Sequence, residues 1–180
     1  MRFPISRSKK FIVLILMACA LSAFSFAGTP DDLSFSLTLT RGERSRDSNS
    51  RTTTITLNRK RLSYDLAYSG FNPGRRQPVH KEFEITAQDI ETLKSLVRTK
   101  GLLKSGSLDL QEADRGHAYF AIKIKLRLDK RDSAINLSGP ANATRIKDER
   151  LYKSSDALVK EVYRLIGKQD QEITYEELVN

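Results

Sequence analysis

Ala118-Tyr-Phe-Ala-Ile-Lys-Ile-Lys-Leu-Arg-Leu128 is the stretch whose reading decides the fold. Phe120, Ile122, Ile124, Leu126 and Leu128 occur at every second position, and Tyr119, Ala121, Lys123, Lys125 and Arg127 fill the places between. Successive side chains of a strand point to opposite faces, so this period of two marks a long strand with one buried and one polar face. A helix would scatter the same residues around its circumference. Asp129 to Asp132 follows as a polar turn. Ile135 and Leu137 belong to a partner strand, closed by Gly139-Pro140.

The same period recurs toward the N-terminus. Leu33, Phe35, Leu37 and Leu39 alternate with Ser34, Ser36, Thr38 and Thr40. Arg41 to Arg51 contains no hydrophobic residue and is expected to be an exposed, mobile hairpin loop. The β-branched run from Thr52 to Leu57 suits the return strand. A further alternation at Leu62, Tyr64, Leu66 and Tyr68 ends at the glycine and proline turns between Gly70 and Pro78, and Phe83 and Ile85 suggest a short strand. It leads directly into a helix, expected over residues 87–100. Thr86 can cap that helix with Asp89 reaching back, Ile85 and Ile90 sit at staple positions, and Ile90, Leu93, Leu96 and Val97 share one face. Gly101 stands where a left-handed C-cap residue belongs. Leu158, Val159, Val162, Leu165 and Ile166 form the stripe of a last helix that ends at Gly167 and could begin as early as Asp148. Strands with one apolar face, joined by hairpins, imply an α+β fold: an antiparallel sheet with two helices packed on one face.

The segment from Glu84 to Leu103, a hairpin strand leading into a capped helix that ends in an apolar pair, resembles the helix of the emfourin-like small bacterial α+β domains. The resemblance lies in the layout and would span about Leu33 to Ile166. It implies a hairpin, a capped helix, a long hairpin and a final helix, in a group that includes metalloprotease inhibitors and exported domains. That family's glycine-rich turn after the first strand is replaced here by Arg41-Gly42-Glu43 and a charged loop, and no functional residue carries over.

Residues 1–27 read as a signal peptide. Arg2, Arg7, Lys9 and Lys10 form a basic leader, Phe11 to Phe26 is uncharged and apolar, and Ser25-Phe26-Ala27 offers a signal peptidase the small residues it needs before Gly28. An exported protein, periplasmic or secreted, is expected. Two alternatives place it on a membrane: a retained signal anchor, and a lipoprotein lipidated at Cys19, since Leu16-Met17-Ala18-Cys19 resembles a lipobox. Residues 28–167 then make a single α+β domain, and residues 168–180 form an acidic C-terminal tail with four acidic residues against one basic. Cys19 is the only cysteine, so the mature domain has no disulfide, thiol nucleophile or cysteine-based metal site. The leader holds four of the 31 basic and none of the 22 acidic residues, leaving 27 against 22, a net charge of +5.

Catalytic signals are sparse. His80 and His117 are the two histidines, and no Gly-x-Ser-x-Gly elbow is present. Asp109, Glu112, Asp114 and His117 cluster within nine residues but match no calcium-loop or zinc spacing. They read as a solvated acidic loop, with a hydrolase site between Asp109 and His117 as the alternative. No cofactor or metal is called for. Asn136-Leu137-Ser138 and Asn142-Ala143-Thr144 match the glycosylation acceptor pattern, which matters only in a eukaryote.

The basic residues are more informative. Arg41 to Arg76 carries nine basic residues against Glu43, Asp47 and Asp65. The expected function is an exported, non-enzymatic binding or accessory domain, inhibitor-like in role, whose long polar loops engage a protein partner through Arg44, Arg46, Arg51, Arg75 and Arg76. The alternative is an anionic envelope polymer held by a stripe of Lys123, Lys125 and Arg127 on the polar sheet face. A net charge of +5 argues against nucleic acid as the partner.

Overall fold

A computed structural model describes residues 32–43, 49–70, 76–110, 118–177 and 179. Seven strands form one sheet: β1 (Ser34–Glu43), β2 (Ser50–Asn58), β3 (Arg61–Ser69), β4 (Val79–Glu84), β5 (Gly106–Asp109), β6 (Ala118–Leu128) and β7 (Arg131–Pro140). Two helices, α1 (Ala87–Thr99) and α2 (Arg150–Gly167), complete an α+β fold. The spatial order is β4-β3-β2-β1-β6-β7-β5, with every neighbouring pair antiparallel except the parallel pair β5 and β7. β5 and β7 run parallel with β6 between them in the chain, and β4 and β5 lie at opposite edges, so the chain must cross the sheet between them. α1 lies in that connection and is about 20 Å long at the usual helical rise.

The alternation seen in the sequence becomes the division between two faces. Phe35, Leu37, Ile55, Leu57, Leu62, Phe120, Ile122, Ile124, Leu126, Ile135 and Leu137 are buried and join one core with Leu93 and Val97 of α1 and Leu158, Val159, Val162 and Ile166 of α2. Both helices therefore pack on the same face. Asp129 and Lys130 turn β6 into β7 with φ of 54° and 60°, the left-handed pair that lets a two-residue hairpin follow the strand twist. Arg98 of α1 grips that turn through both carboxylate oxygens of Asp129, at 3.0 and 2.7 Å, and holds the Asp129 carboxyl below its ordinary pKa.

α1 is capped at both ends. The Asp89 amide donates to Thr86 Oγ1 at 3.1 Å, and the Thr86 amide donates to Asp89 Oδ2 at 3.2 Å. Beyond the C-cap Lys100, Gly101 adopts φ of 70°. Its amide donates to the Arg98 carbonyl, and the Leu102 amide donates to the Val97 carbonyl at 3.0 Å. That pair of bonds is a Schellman motif, and buried Leu102 supplies its apolar contact. Thr86→Ala should cost about 1 kcal/mol in a denaturant titration, since it removes one cap bond and leaves the buried stripe intact.

β1, β2 and β5 differ from expectation. β1 and β2 run on to Glu43 and from Ser50, so Arg41 and Arg51 face each other in the ladder rather than sitting in a loop. β5 was not foreseen, because its four residues contain one apolar side chain, Leu108. α2 ends at Gly167 and begins at Arg150, within the expected bounds, after a short 3-10 helix over Thr144–Asp148 that buries Ile146. The acidic tail is docked on the core: Ile173 and Val179 are buried. Tyr175 meets the Tyr163 ring edge-on at 5.8 Å, Tyr163 meets Tyr64 of β3 at 6.4 Å, and the Tyr175 hydroxyl donates to Asp156. Burial in that stack pushes the Tyr163 hydroxyl up to about 12.

Candidate functional site

A cleft of about 630 Å³ opens at one end of β1, β2 and β3. Its position follows from side-chain parity. Leu37, Leu39 and Arg41 share the helix-side face of β1, and Leu57, Ile55, Thr53 and Arg51 share that of β2. The apolar run stops at Leu39 on β1 and Ile55 on β2, and beyond Leu39 and buried Thr53 the same rows place two guanidinium groups near the strand ends. Tyr68 of β3 stands opposite Arg51, and the Arg76 guanidinium lies 5.4 Å from the Tyr68 ring centroid. Gly42 floors the cleft. A Cβ there would come within 2.8 Å of the Tyr119 ring and 2.9 Å of the Asn49 carbonyl, so only glycine permits this close approach.

Like charges directly opposite in a ladder repel, and the tail offsets this. Arg51 Nη1 donates to Glu176 Oε2 at 2.8 Å, and Arg41 Nη1 donates to the Glu177 carbonyl at 3.1 Å. Burial opposes the Arg51 charge. The hydrogen bonds that Arg51 donates to Glu176 and Tyr64 outweigh that burial, and the Arg51 pKa stands above its ordinary value. The cleft thus brings three arginines together against Glu43 and Glu176. A guanidinium cluster beside an aromatic ring can grip a carboxylate or a phosphate in bidentate fashion. Among the described residues that line it there is no nucleophile–base pair.

Of the five arginines picked out in the sequence, Arg51 and Arg76 line this cleft, whereas Arg44, Arg46 and Arg75 lie outside the described residues. Arg41 and Tyr68 were missed, although the parity of β1 and the alternation of β3 both pointed to them. Lys123, Lys125 and Arg127 stand on the open face of the sheet, with Arg127 Nε 3.9 Å from Asp132 Oδ1. They lie along the middle and far end of β6, where Lys123 pairs with Thr38 and Lys125 with Ser36, away from the strand end that carries the cleft.

The Asp109–His117 candidate is only partly covered. Asp109 accepts a 2.7 Å hydrogen bond from Ser138 Oγ, and Glu112, Asp114 and His117 lie outside the described residues, as does Cys19. Among the described residues no three His, Cys, Asp or Glu side chains gather in metal-binding geometry, and no helix is long and apolar enough to cross a membrane. His80 lies on edge strand β4 with Nδ1 2.5 Å from Asp65 Oδ1. The Asp65 hydrogen bond, and then its charge, raise the His80 pKa above 6.5. A raised value means that protonated His80 supports the fold below about pH 6.5 and loses that contribution as the pH rises through the folded-state pKa. NMR titration should place the His80 midpoint above 6.5, and Asp65→Asn should return it to the ordinary range.

No protein-family model matches the chain, and no curated protein compared with it gives a significant match.

Proposed function

We propose that this chain is an exported, non-enzymatic binding domain, accessory or inhibitor-like in role, that takes an acidic segment of a partner protein into the arginine cleft. One observation carries the proposal. The chain's own tail already lays a glutamate carboxylate on Arg51 and a backbone carbonyl on Arg41. The chemistry accepted there is therefore that of an acidic peptide, and Arg76 over Tyr68 extends the cationic lining past the point the tail reaches. Arginine suits the task because its planar fork stays charged at any relevant pH.

The test is fluorescence anisotropy with a labelled glutamate-rich peptide. Saturable binding at low salt that weakens as salt rises, and weakens again in Arg76→Ser, supports the proposal. No binding, or binding indifferent to Arg76→Ser, contradicts it.

Export has its own test. Mass spectrometry of the purified chain should find a free N-terminus at Gly28. A diacylglyceryl-modified Cys19 would make it a tethered lipoprotein, and an intact Met1 in the membrane fraction would make it a signal-anchored protein.

A further inference from the structure

The open face of the sheet is sorted by charge. β6 presents Lys123, Lys125 and Arg127 there and no acid. β3 and β4, at the other side of the sheet, present Asp65, Glu82 and Glu84 against Arg61 and His80. Between them, β1 and β2 present only uncharged, mostly small residues, including Ser36, Thr38, Thr40, Thr52, Thr54 and Thr56. A neutral centre of small side chains lets a second surface approach closely, and the charges at its margins can fix the register of the contact.

The ladder register makes the sorting specific. Lys123 pairs with Thr38, Thr38 with Thr54, Thr54 with Asp65 and Asp65 with His80, so these five residues lie in one row across the sheet. Lys125, Ser36, Thr56, Ser63 and Glu82 form the next row on the same face. A two-fold axis along the strands, between β1 and β2, keeps each row on itself and exchanges β6 with β3. Lys123 of one copy then meets Asp65 of the other, Lys125 meets Ser63 with Glu82 beside it, and Arg127 meets Arg61 at the end of the face, where Glu84 stands beside Arg61. Each contact is made twice, as an isologous interface requires.

We infer that the open face pairs with a second copy of this chain, sheet on sheet, the basic β6 of each copy over β3 of the other, with the acidic residues of β4 alongside. Strand spacing and residue rise give a shared area on the order of 800 Å² per copy, the size of a standard specific interface. The internal pairs on this face do not compete strongly. Arg61 to Glu82 spans 3.5 Å, and Asp65 to His80 is solvent-exposed, and such pairs contribute little. An anionic polymer fits less well, because a chain crossing the face from β6 would run into Asp65 and Glu82.

Sedimentation velocity and charge reversal test this on the chain as purified from the producing cell. Wild type should be a dimer at low salt that dissociates as salt rises. Lys123→Glu/Lys125→Glu and Asp65→Lys/Glu82→Lys should each weaken self-association roughly a hundredfold without lowering the melting temperature. Mixing the two variants should restore a dimer, because both sets of contacts are again complementary. A monomer at every salt concentration overturns the inference, as does a dimer that either reversal leaves intact or two variants that fail to combine. Salt-sensitive retention of a monomer on heparin would assign the stripe to an anionic polymer instead.

Discussion

Phe35→Ala should destabilise the protein by about 3–5 kcal/mol, among the largest losses any single truncation here can produce. Phe35 is fully buried on β1, the central strand of the seven, paired with Leu57 of β2 on one side and Leu126 of β6 on the other. Its ring fills the space between the sheet and the helices at a point where neither layer can collapse without shifting both neighbouring strands. Domains of this size have total stabilities of about 5–15 kcal/mol, so the loss is a large fraction of what is present. It should appear as a fall in melting temperature of roughly 10–15 °C. Thr38, on the same strand and the opposite face, is the control. Thr38→Ala should change stability by about 0.5 kcal/mol or less. A larger loss at Thr38 than at Phe35 would show that the faces of β1 have been assigned the wrong way round.

The second large effect is on binding. Arg41→Ser combined with Arg76→Ser should weaken association with a glutamate-rich peptide about thirtyfold. A hydrogen bond to a charged group contributes about 1.5–3 kcal/mol when shielded, and these groups are partly solvated, so about 1 kcal/mol each is the appropriate scale. Neither side chain belongs to the apolar core. The melting temperature should therefore hold within a few degrees, which separates lost recognition from lost folding. Glu176→Gln should act in the opposite direction. It removes the internal carboxylate on Arg51, so an incoming acidic segment no longer has to displace a charged competitor.

The parts of the fold that were legible in the sequence share a property: their signals are local and periodic. The alternation in Ala118–Leu128 and the capping pair Thr86 and Asp89 can be read without knowing what lies across from them, and both are present as read. β5 was illegible because Gly106–Asp109 is a strand only by virtue of its parallel pairing to β7, which α1 brings about from the far edge. The docked tail was illegible for a related reason. Ile173, Tyr175 and Val179 are spaced among acids, and composition registers the acids. The cleft lies between these cases. Hydrophobicity ends β1 at Leu39, yet side-chain parity continues, and Arg41 and Arg51 fall on the core-facing rows as a charged extension of the same pattern. The open-face stripe needed parity alone, and Lys123, Lys125 and Arg127 stand together there.

The central claim is that acidic ligands enter the cleft at the end of β1, β2 and β3, and a backbone-amide NMR titration with the glutamate-rich peptide tests it most directly. The largest shifts should fall on Gly42, Ser50, Ser69 and Gly70, which line the cleft beside Arg41, Arg51 and Arg76, with Lys123 and Lys125 unmoved. Shifts concentrated on Lys123, Lys125 and Arg127, or no shifts at saturating peptide, would contradict it.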